Sequence, residues 1–246
     1  MPKLPAITTD ESPALFLDFD GTLVDIVARP DLTTVPPQLP GLLGDLYRRL
    51  EGALAIVSGR PLNDLDRLLS PAVFPAAGIH GVQHRNSSGR IVSRCKCTIP
   101  DPVREQTRTL TERDSRLVLE DKGYSMSLHY RLAPEIATTI REDLGKIWES
   151  LEPDFSIHSG KMVFELRPAG IDKGSAIEKF MSEEPFMGRH AVFIGDDMTD
   201  EDAFAVVNRM DGYSARVGLP DPESAAQFTL DDVADVHAWL RELNRN

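Results

Sequence analysis

Cysteine is nearly absent from this 246-residue chain, which holds only 2, Cys95 and Cys97, one residue apart. So close a pair makes no disulfide framework, and its scarcity points to a reducing compartment. Two sulfurs also fall short of a metal site, so free thiols in or near a core are expected. Basic residues are short too: 27 Lys and Arg face 39 Asp and Glu, a formal net charge of −12. That excludes a non-specific nucleic-acid binder, which neutralises phosphates with Lys and Arg, and a protein drawn to an anionic membrane surface. No apolar run approaches the roughly 20 residues of a membrane-spanning helix. Residues 1–10 have neither the basic start nor the apolar stretch of a secretory signal. A cytoplasmic location is therefore expected. The acidity raises one question: a small anionic substrate has to enter against the average field.

What is present is enough for a substantial core, with 41% hydrophobic residues. The length suits one large domain or two modest ones. Ala14-Leu15-Phe16-Leu17 is a continuous apolar run, as in a strand buried on both faces, and it stops at Asp18-Phe19-Asp20-Gly21-Thr22. Leu39, Leu42, Leu43, Leu46 and Leu50 recur at helical spacing. Residues 53–57 read as a second buried strand ending at Ser58-Gly59-Arg60, followed by Pro61 at a helix start. A third strand is expected over 73–77. The pattern resumes with a strand over 191–194 ending at Gly195-Asp196-Asp197, a helix from about Thr199, a short strand over 215–217 and an amphipathic helix through Val233, Val236, Trp239, Leu240 and Leu243. Asp231-Asp232 reads as its N-terminal cap and first-turn charge. Strands alternating with helices imply an α/β fold with a doubly wound, mostly parallel sheet.

The middle of the chain has a different period. Ser127, His129 and Arg131 alternate with Met126, Leu128 and Tyr130; Val163, Glu165 and Arg167 alternate with Met162, Phe164 and Leu166. Period two with one polar face describes half-exposed strands. Ile136, Ile140, Leu144, Ile147 and Leu151 mark a helix between them, and 91–97 reads as an additional strand. The middle is thus expected to be a small inserted α+β module, residues 103–168, between core segments 1–102 and 169–246. His80 and His84 flank Gly81 and are expected in a surface loop as much as near a cleft.

Three strand ends carry polar clusters: Asp18 with Asp20, Ser58, and Asp196 with Asp197. Ligands of open parallel sheets bind beyond the carboxyl ends of the strands, so these clusters converge. Carboxylates gathered there repel one another, and an all-oxygen donor set suits Mg²⁺.

These residues carry a family resemblance. Asp18-Phe19-Asp20-Gly21-Thr22-Leu23 resembles the signature of the haloacid-dehalogenase (HAD) superfamily of phosphotransferases, Ser58 its second motif, Lys173-Gly174 its third and Gly195-Asp196-Asp197 its fourth, in the required order. A closer resemblance is to the trehalose-6-phosphate phosphatase family. It rests on Ser58-Gly59-Arg60, Glu120-Asp121-Lys122, His129-Tyr130-Arg131, the run from His158-Ser159-Gly160-Lys161 to Glu165-Leu166-Arg167-Pro168, and the run from Gly195 to Phe204. It spans roughly residues 15–240. The resemblance implies a HAD-like core with the module as a cap domain that selects substrate. It implies Asp18 as the nucleophile that forms an aspartyl-phosphate, and Asp20 as the general acid and base. It further implies Mg²⁺ on the Asp18 carboxylate, the Asp20 carbonyl and Asp196, with Asp197 or Asp200 acting through water or as an outer anchor. Ser58 would donate to the phosphoryl group, and Lys173 would neutralise charge during transfer. A bound cation and Lys173 would then reverse the local sign of an acidic protein.

The resemblance adds Arg60 of the core and, in the cap, Glu120, Lys122, His129, Arg131, Lys161 and Glu165 as substrate contacts. Lys161, Glu165 and His129 are expected at sugar hydroxyls with Glu120 and Lys122 behind them. A solvated sheet face laced with ion pairs is the alternative reading, and Arg131 and Arg167 fit structural clamps equally well. The implied activity is Mg²⁺-dependent hydrolysis of trehalose 6-phosphate. Phosphatases of sucrose 6-phosphate or glucosylglycerol phosphate would differ in cap residues, and a non-catalytic sugar-phosphate-binding protein would be expected to lack Asp18 or Asp20. The expected partner is a small sugar phosphate, with no nucleic acid and no membrane. A monomer is expected, and a synthase on a separate polypeptide is the one protein partner suggested.

Overall fold

The computed structural model describes every residue except Lys161 and Asn246, and every other side chain but that of Asp10. The apolar run at 14–17 forms β1 (Pro13–Leu17), buried throughout. It is followed by α1 (Leu39–Arg49), β2 (Leu54–Val57), α2 (Leu62–Leu69) and three short strands, β3 (Ala76–Gly78), β4 (Gln83–Arg85) and β5 (Ile91–Ser93). The middle of the chain supplies α3 (Asp101–Thr111), β6 (Val118–Asp121), β7 (Met126–His129), α4 (Ala137–Trp148), β8 (Phe155–Gly160) and β9 (Val163–Pro168). The last part is α5 (Lys173–Met181), β10 (His190–Gly195), α6 (Glu201–Arg209), β11 (Tyr213–Val217), β12 (Phe228–Leu230) and α7 (Val233–Leu243).

Two sheets result. The larger has the order β12-β11-β10-β1-β2-β3-β4-β5, parallel from β12 to β3 and antiparallel beyond. Chain order runs outward in opposite directions from β1 and β10, so the topological switch lies between them. The smaller sheet, β6-β7-β9-β8, is antiparallel throughout. Its apolar face (Met126, Leu128, Phe155, Phe164, Leu166) packs with Val103, Leu110, Ile140, Leu144 and Trp148 of α3 and α4. Trp148 and Tyr130 pack as their spacing suggests. The indole N–H of Trp148 donates to Thr107 Oγ1 at 3.1 Å, and Tyr130 stacks on Phe164 at 4.7 Å.

Each sheet belongs to its own compact unit. One comprises Met1–Val27, Thr33–Arg94 and Asp172–Asn246; the other Ala28–Leu32 and Cys95–Ile171. The divisions thus fall after residues 94 and 171 rather than 102 and 168. The reason is local. Ile91–Ser93 pairs with β4 at the edge of the large sheet, whereas Cys97 and Ile99 pack into the second core. The strand expected over 91–97 accordingly ends at Ser93; past it, the Cys97 N–H donates to Cys95 Sγ at 3.0 Å in place of a ladder bond.

Other expectations are corrected. The third strand begins at Ala76 rather than 73, because Val73 is exposed and Pro75 has no N–H to give. A single 3₁₀ turn over Met198–Asp200 precedes α6, so that helix starts at Glu201. His80 and His84 are buried, not in a surface loop. His84 lies 4.2 Å from the Phe180 ring centroid, with Nε2 3.2 Å from Glu183. Burial pushes its imidazole pKa down, with the Glu183 interaction opposing. No helix among the described residues is long and apolar enough to cross a membrane.

Helix α5 matters most for the site. Asp172 caps its start, accepting from the Ser175 N–H at 2.7 Å, while Phe180 packs on Phe16 of β1 with centroids 5.9 Å apart. These contacts fix Lys173 at the first helical position. Asp172→Ala is expected to lower unfolding stability by about 1 kcal/mol in urea titration, as for other lost N-caps; unchanged stability would contradict this role.

Candidate active site

Parallel register brings the strand ends to one level. Leu17 lies opposite both Ile194 and Ile56, so Asp18, Asp196 and the end of β2 before Ser58 follow side by side. The Asp18 N–H extends the ladder, donating to Ile194 O at 3.0 Å. The chain then turns sharply, with the Leu23 and Val24 N–H groups both donating to Phe19 O. Gly21 sits in the turn at φ 84°, and a Cβ there would lie 2.3 Å from Asp196 Oδ2. Both the dihedral and the close approach require glycine. The two-residue offset of Asp18 and Asp20 is therefore read through a turn, as its spacing demanded.

Asp18, Asp196 and Asp200 each offer a carboxylate oxygen, and the three oxygens lie within 4.8 Å of one another. All three residues are buried. Lys173 Nζ donates to Asp18 Oδ1 at 2.7 Å and to Asp200 Oδ1 at 2.6 Å. Asp200 Oδ2 accepts from the Asp196 and Asp197 N–H groups, both at 2.9 Å. Both Asp200 oxygens are thus engaged, Oδ1 by Lys173 and Oδ2 in holding the loop, which suits an anchor. Asp197 is half-buried and caps Met198 N at 2.7 Å, outside the group of three carboxylates.

Charge dominates this cluster. Burial pushes the Asp18 carboxyl well above the ordinary carboxylate range; Lys173 pulls it down, and the Asp200 and Asp196 carboxylates add to the rise. Burial opposes the charge on Lys173, but its attraction to Asp18 and Asp200 and its bonds to both outweigh that and raise its pKa. Fully ionised, three carboxylates and one ammonium leave two negative charges in a buried oxygen-lined space. That donor set fits a divalent cation of the Mg²⁺ kind.

Asp20 is less buried, and both its oxygens face Arg60: Nε to Oδ2 at 2.6 Å and Nη2 to Oδ1 at 2.7 Å. Arg60 also donates to Thr33 Oγ1 at 2.7 Å and lies 5.7 Å from the Phe19 ring centroid. Arg60 therefore serves the Asp20 carboxylate, a partnership its expected place among substrate contacts did not include. Ser58 is buried, with Oγ accepting from the Arg60 N–H at 3.1 Å. His80 lies against Gly59, where a Cβ would come within 2.6 Å of Nε2. Neither Thr33 nor His80 was among the expected site residues; no sequence motif marks Thr33.

In the second unit, Lys122 is at the centre. Its Nζ donates to Ser127 Oγ at 3.0 Å and Glu165 Oε1 at 3.2 Å, and lies 3.7 Å from Glu120 Oε2. Ser127 Oγ donates to Glu165 Oε1 at 2.9 Å, and His129 Nε2 is 3.3 Å from Glu120 Oε2. Glu120, Lys122, His129 and Glu165 are thus brought together. Arg131 lies past the end of β7 at His129, so the expected alternation stops short of it. Lys161 lies outside the described residues.

A family model described as trehalose-phosphatase matches residues 16–234. A probable trehalose-phosphate phosphatase of Sinorhizobium fredii is 43% identical over 224 residues, covering 91% of this chain and 84% of its own. The chain belongs to the trehalose-phosphatase family. The trehalose-6-phosphate phosphatase of Escherichia coli is 39% identical over 231 residues, covering 92% and 85%. In fold, the chain is similar to the C-terminal domain of Candida albicans trehalose-6-phosphate phosphatase, with a TM-score of 0.86 at 20% identity, covering 99% of this chain and 98% of that one. A HAD-superfamily phosphatase of Bacteroides thetaiotaomicron shares the fold at a TM-score of 0.61 and 14% identity, covering 92% and 91%. The core fold is therefore HAD-like, and the second unit's main segment, Cys95–Ile171, is inserted within it.

Lys173→Met is expected to lower stability by about 3 kcal/mol or more in EDTA at pH 8, because it leaves buried carboxylates without their cation. The loss should shrink toward pH 5, where protons replace the missing charge. Urea titrations at both pH values check this; an equal loss at each would contradict the electrostatic origin.

Proposed function

We propose that this chain hydrolyses trehalose 6-phosphate to trehalose and phosphate, with Asp18 as nucleophile and Mg²⁺ as cofactor. The observation that carries the reading is the buried Asp18–Lys173–Asp200 ion cluster, in a chain that matches enzymes so named over nearly its full length. The cation, held by Asp18, Asp196 and the Asp20 main-chain carbonyl, would offset charge on the phosphoryl oxygens. Asp18 attacks phosphorus, and the bond from phosphorus to the sugar oxygen breaks. Asp20 gives its proton to that oxygen, and trehalose leaves. A water then attacks the aspartyl-phosphate and passes a proton to Asp20. The phosphorus–Asp18 bond breaks, restoring the carboxylate and releasing phosphate. Both Asp20 oxygens are engaged by Arg60, so one arm of that fork must open before Asp20 can carry a proton. Ser58 donates to the phosphoryl group, and Lys173 keeps the nucleophile ionised and oriented. Asp200 acts as the outer anchor, a role its two fully engaged oxygens favour over Asp197.

The polar sheet face of the cap is read as the sugar-binding face. Glu120, Lys122, His129 and Glu165 there offer donors and acceptors to a multi-hydroxyl ligand. Their mutual ion pairs keep them fixed, as a preorganised site requires.

Phosphate release from trehalose 6-phosphate, sucrose 6-phosphate and glucose 6-phosphate tests this, with Mg²⁺ or EDTA and with Asp18→Asn. Trehalose 6-phosphate is expected to be preferred. EDTA and D18N should each lower turnover on the order of 10³-fold or more. Comparable rates on all three sugars would overturn the substrate, and parent activity in D18N would overturn the nucleophile.

A further inference from the structure

Arg167 is a cap residue whose chemistry is left over. It follows Glu165 by two positions on β9, so both side chains rise from the same face. Only 2% of Arg167 and 5% of Glu165 is exposed. Arg167 Nε lies 3.9 Å from Glu165 Oε2, an ion pair longer than a hydrogen bond. Arg167 Nε and Nη1 are buried and have no hydrogen-bond partner among the described residues. A guanidinium acting as a clamp between strands would spend these donors on carbonyls or cross-strand side chains. Its cross-strand partner is Ser156, whose hydroxyl is engaged with His158 Nε2 at 2.7 Å. The charge of Arg167 therefore bears on Glu165.

Glu165 stands between Lys122 and Arg167. Its Oε1 is engaged by Lys122 and Ser127, and its Oε2 faces Arg167. Lys122 is shared, because it also lies 3.7 Å from the Glu120 carboxylate. Two carboxylates on one buried face repel each other unless two cations stand beside them.

We propose that Arg167 is a positioning residue for sugar recognition: its guanidinium holds the Glu165 carboxylate where it can accept from a sugar hydroxyl. This rests on the reading of the cap face as the sugar-binding face. Loss of the charge lets Glu165 move and weakens affinity for the sugar, while the phosphoryl chemistry in the core is unaffected. The residue acts through Glu165 and touches no reacting atom.

Steady-state kinetics with trehalose 6-phosphate and with p-nitrophenyl phosphate, which carries no sugar, tests both layers. The full chain is used as parent, Arg167→Met, Arg167→Lys, Glu165→Gln and the E165Q/R167M double variant. Met retains the unbranched stem, and Arg167→Gln replaces it should R167M fail to fold. R167M is expected to raise KM for trehalose 6-phosphate about tenfold with kcat nearly unchanged, and to leave p-nitrophenyl phosphate turnover alone. R167K should recover most of the KM. E165Q should raise KM at least as far, and R167M added to E165Q should cost nothing further. If E165Q raises KM and R167M does not, the Arg167 role is overturned while the sugar-binding reading stands. The role is also overturned if the two effects add independently, or if R167K is as poor as R167M. If E165Q leaves KM unchanged, the sugar-binding reading itself fails.

Discussion

Lys173 donates to Asp18 and Asp200 at 2.7 and 2.6 Å in a buried place, and much else in the core follows from having to keep that ammonium there. Asp18 on one side is raised in pKa by burial and by its acidic neighbours; Asp200 on the other is tied by both oxygens. Remove the lysine and the carboxylates have no internal counter-charge. The position of Lys173 at the first turn of α5 would ordinarily be unfavourable, since a helix N-terminus repels cations. Two carboxylates in contact overcome that small penalty. Asp172 and Phe180 secure the helix that presents it.

The sheet supplies the other half of the arrangement. Because β1 is paired in parallel with both β2 and β10, residues far apart in sequence end at one height. The switch between β1 and β10 opens the edge where ligands of such sheets bind. The overall charge of −12 says little about this place. Three buried carboxylates gather where a cation fits, and on the cap face Glu120 and Glu165 each lie near Lys122 or Arg167.

The long, strongly patterned elements were legible in the sequence. An unbroken apolar run bounded by polar residues marked β1, β2 and β10, and leucine spacing marked α1 and α7. Strands β4 and β12 were not, being three residues each, too short for any period to show, and β5 was read past its end at Ser93. The burial of His80 and His84 was also invisible, because it depends on packing against Gly59 and Phe180 from elsewhere in the chain. Motifs located Asp18, Asp20, Asp196 and Lys173, but which carboxylate anchors the loop is decided by the folded loop: Asp197 and Asp200 look equivalent in sequence and differ in their bonds. Arg60 was placed among substrate contacts from its neighbours in the motif. Its fork on Asp20 arises from a fold that brings residues forty positions apart together. In the cap, alternation showed Glu165 and Arg167 on one face and overextended that face to Arg131, past the end of β7. Lys122, expected behind the others, stands at their centre.

The site's chemistry is electrostatic: carboxylates that exceed the one ammonium beside them take up a divalent cation, and burial raises the Asp18 pKa, with the Asp200 and Asp196 carboxylates adding to the rise and Lys173 opposing it. Calorimetric titration with Mg²⁺ in buffers of differing ionisation heat, from pH 7 down to pH 5, tests it most directly. The account expects one Mg²⁺ per chain, with proton release that grows as the pH falls and is absent in Asp18→Asn. Binding without proton release across that range, or no binding at this cluster, would contradict it.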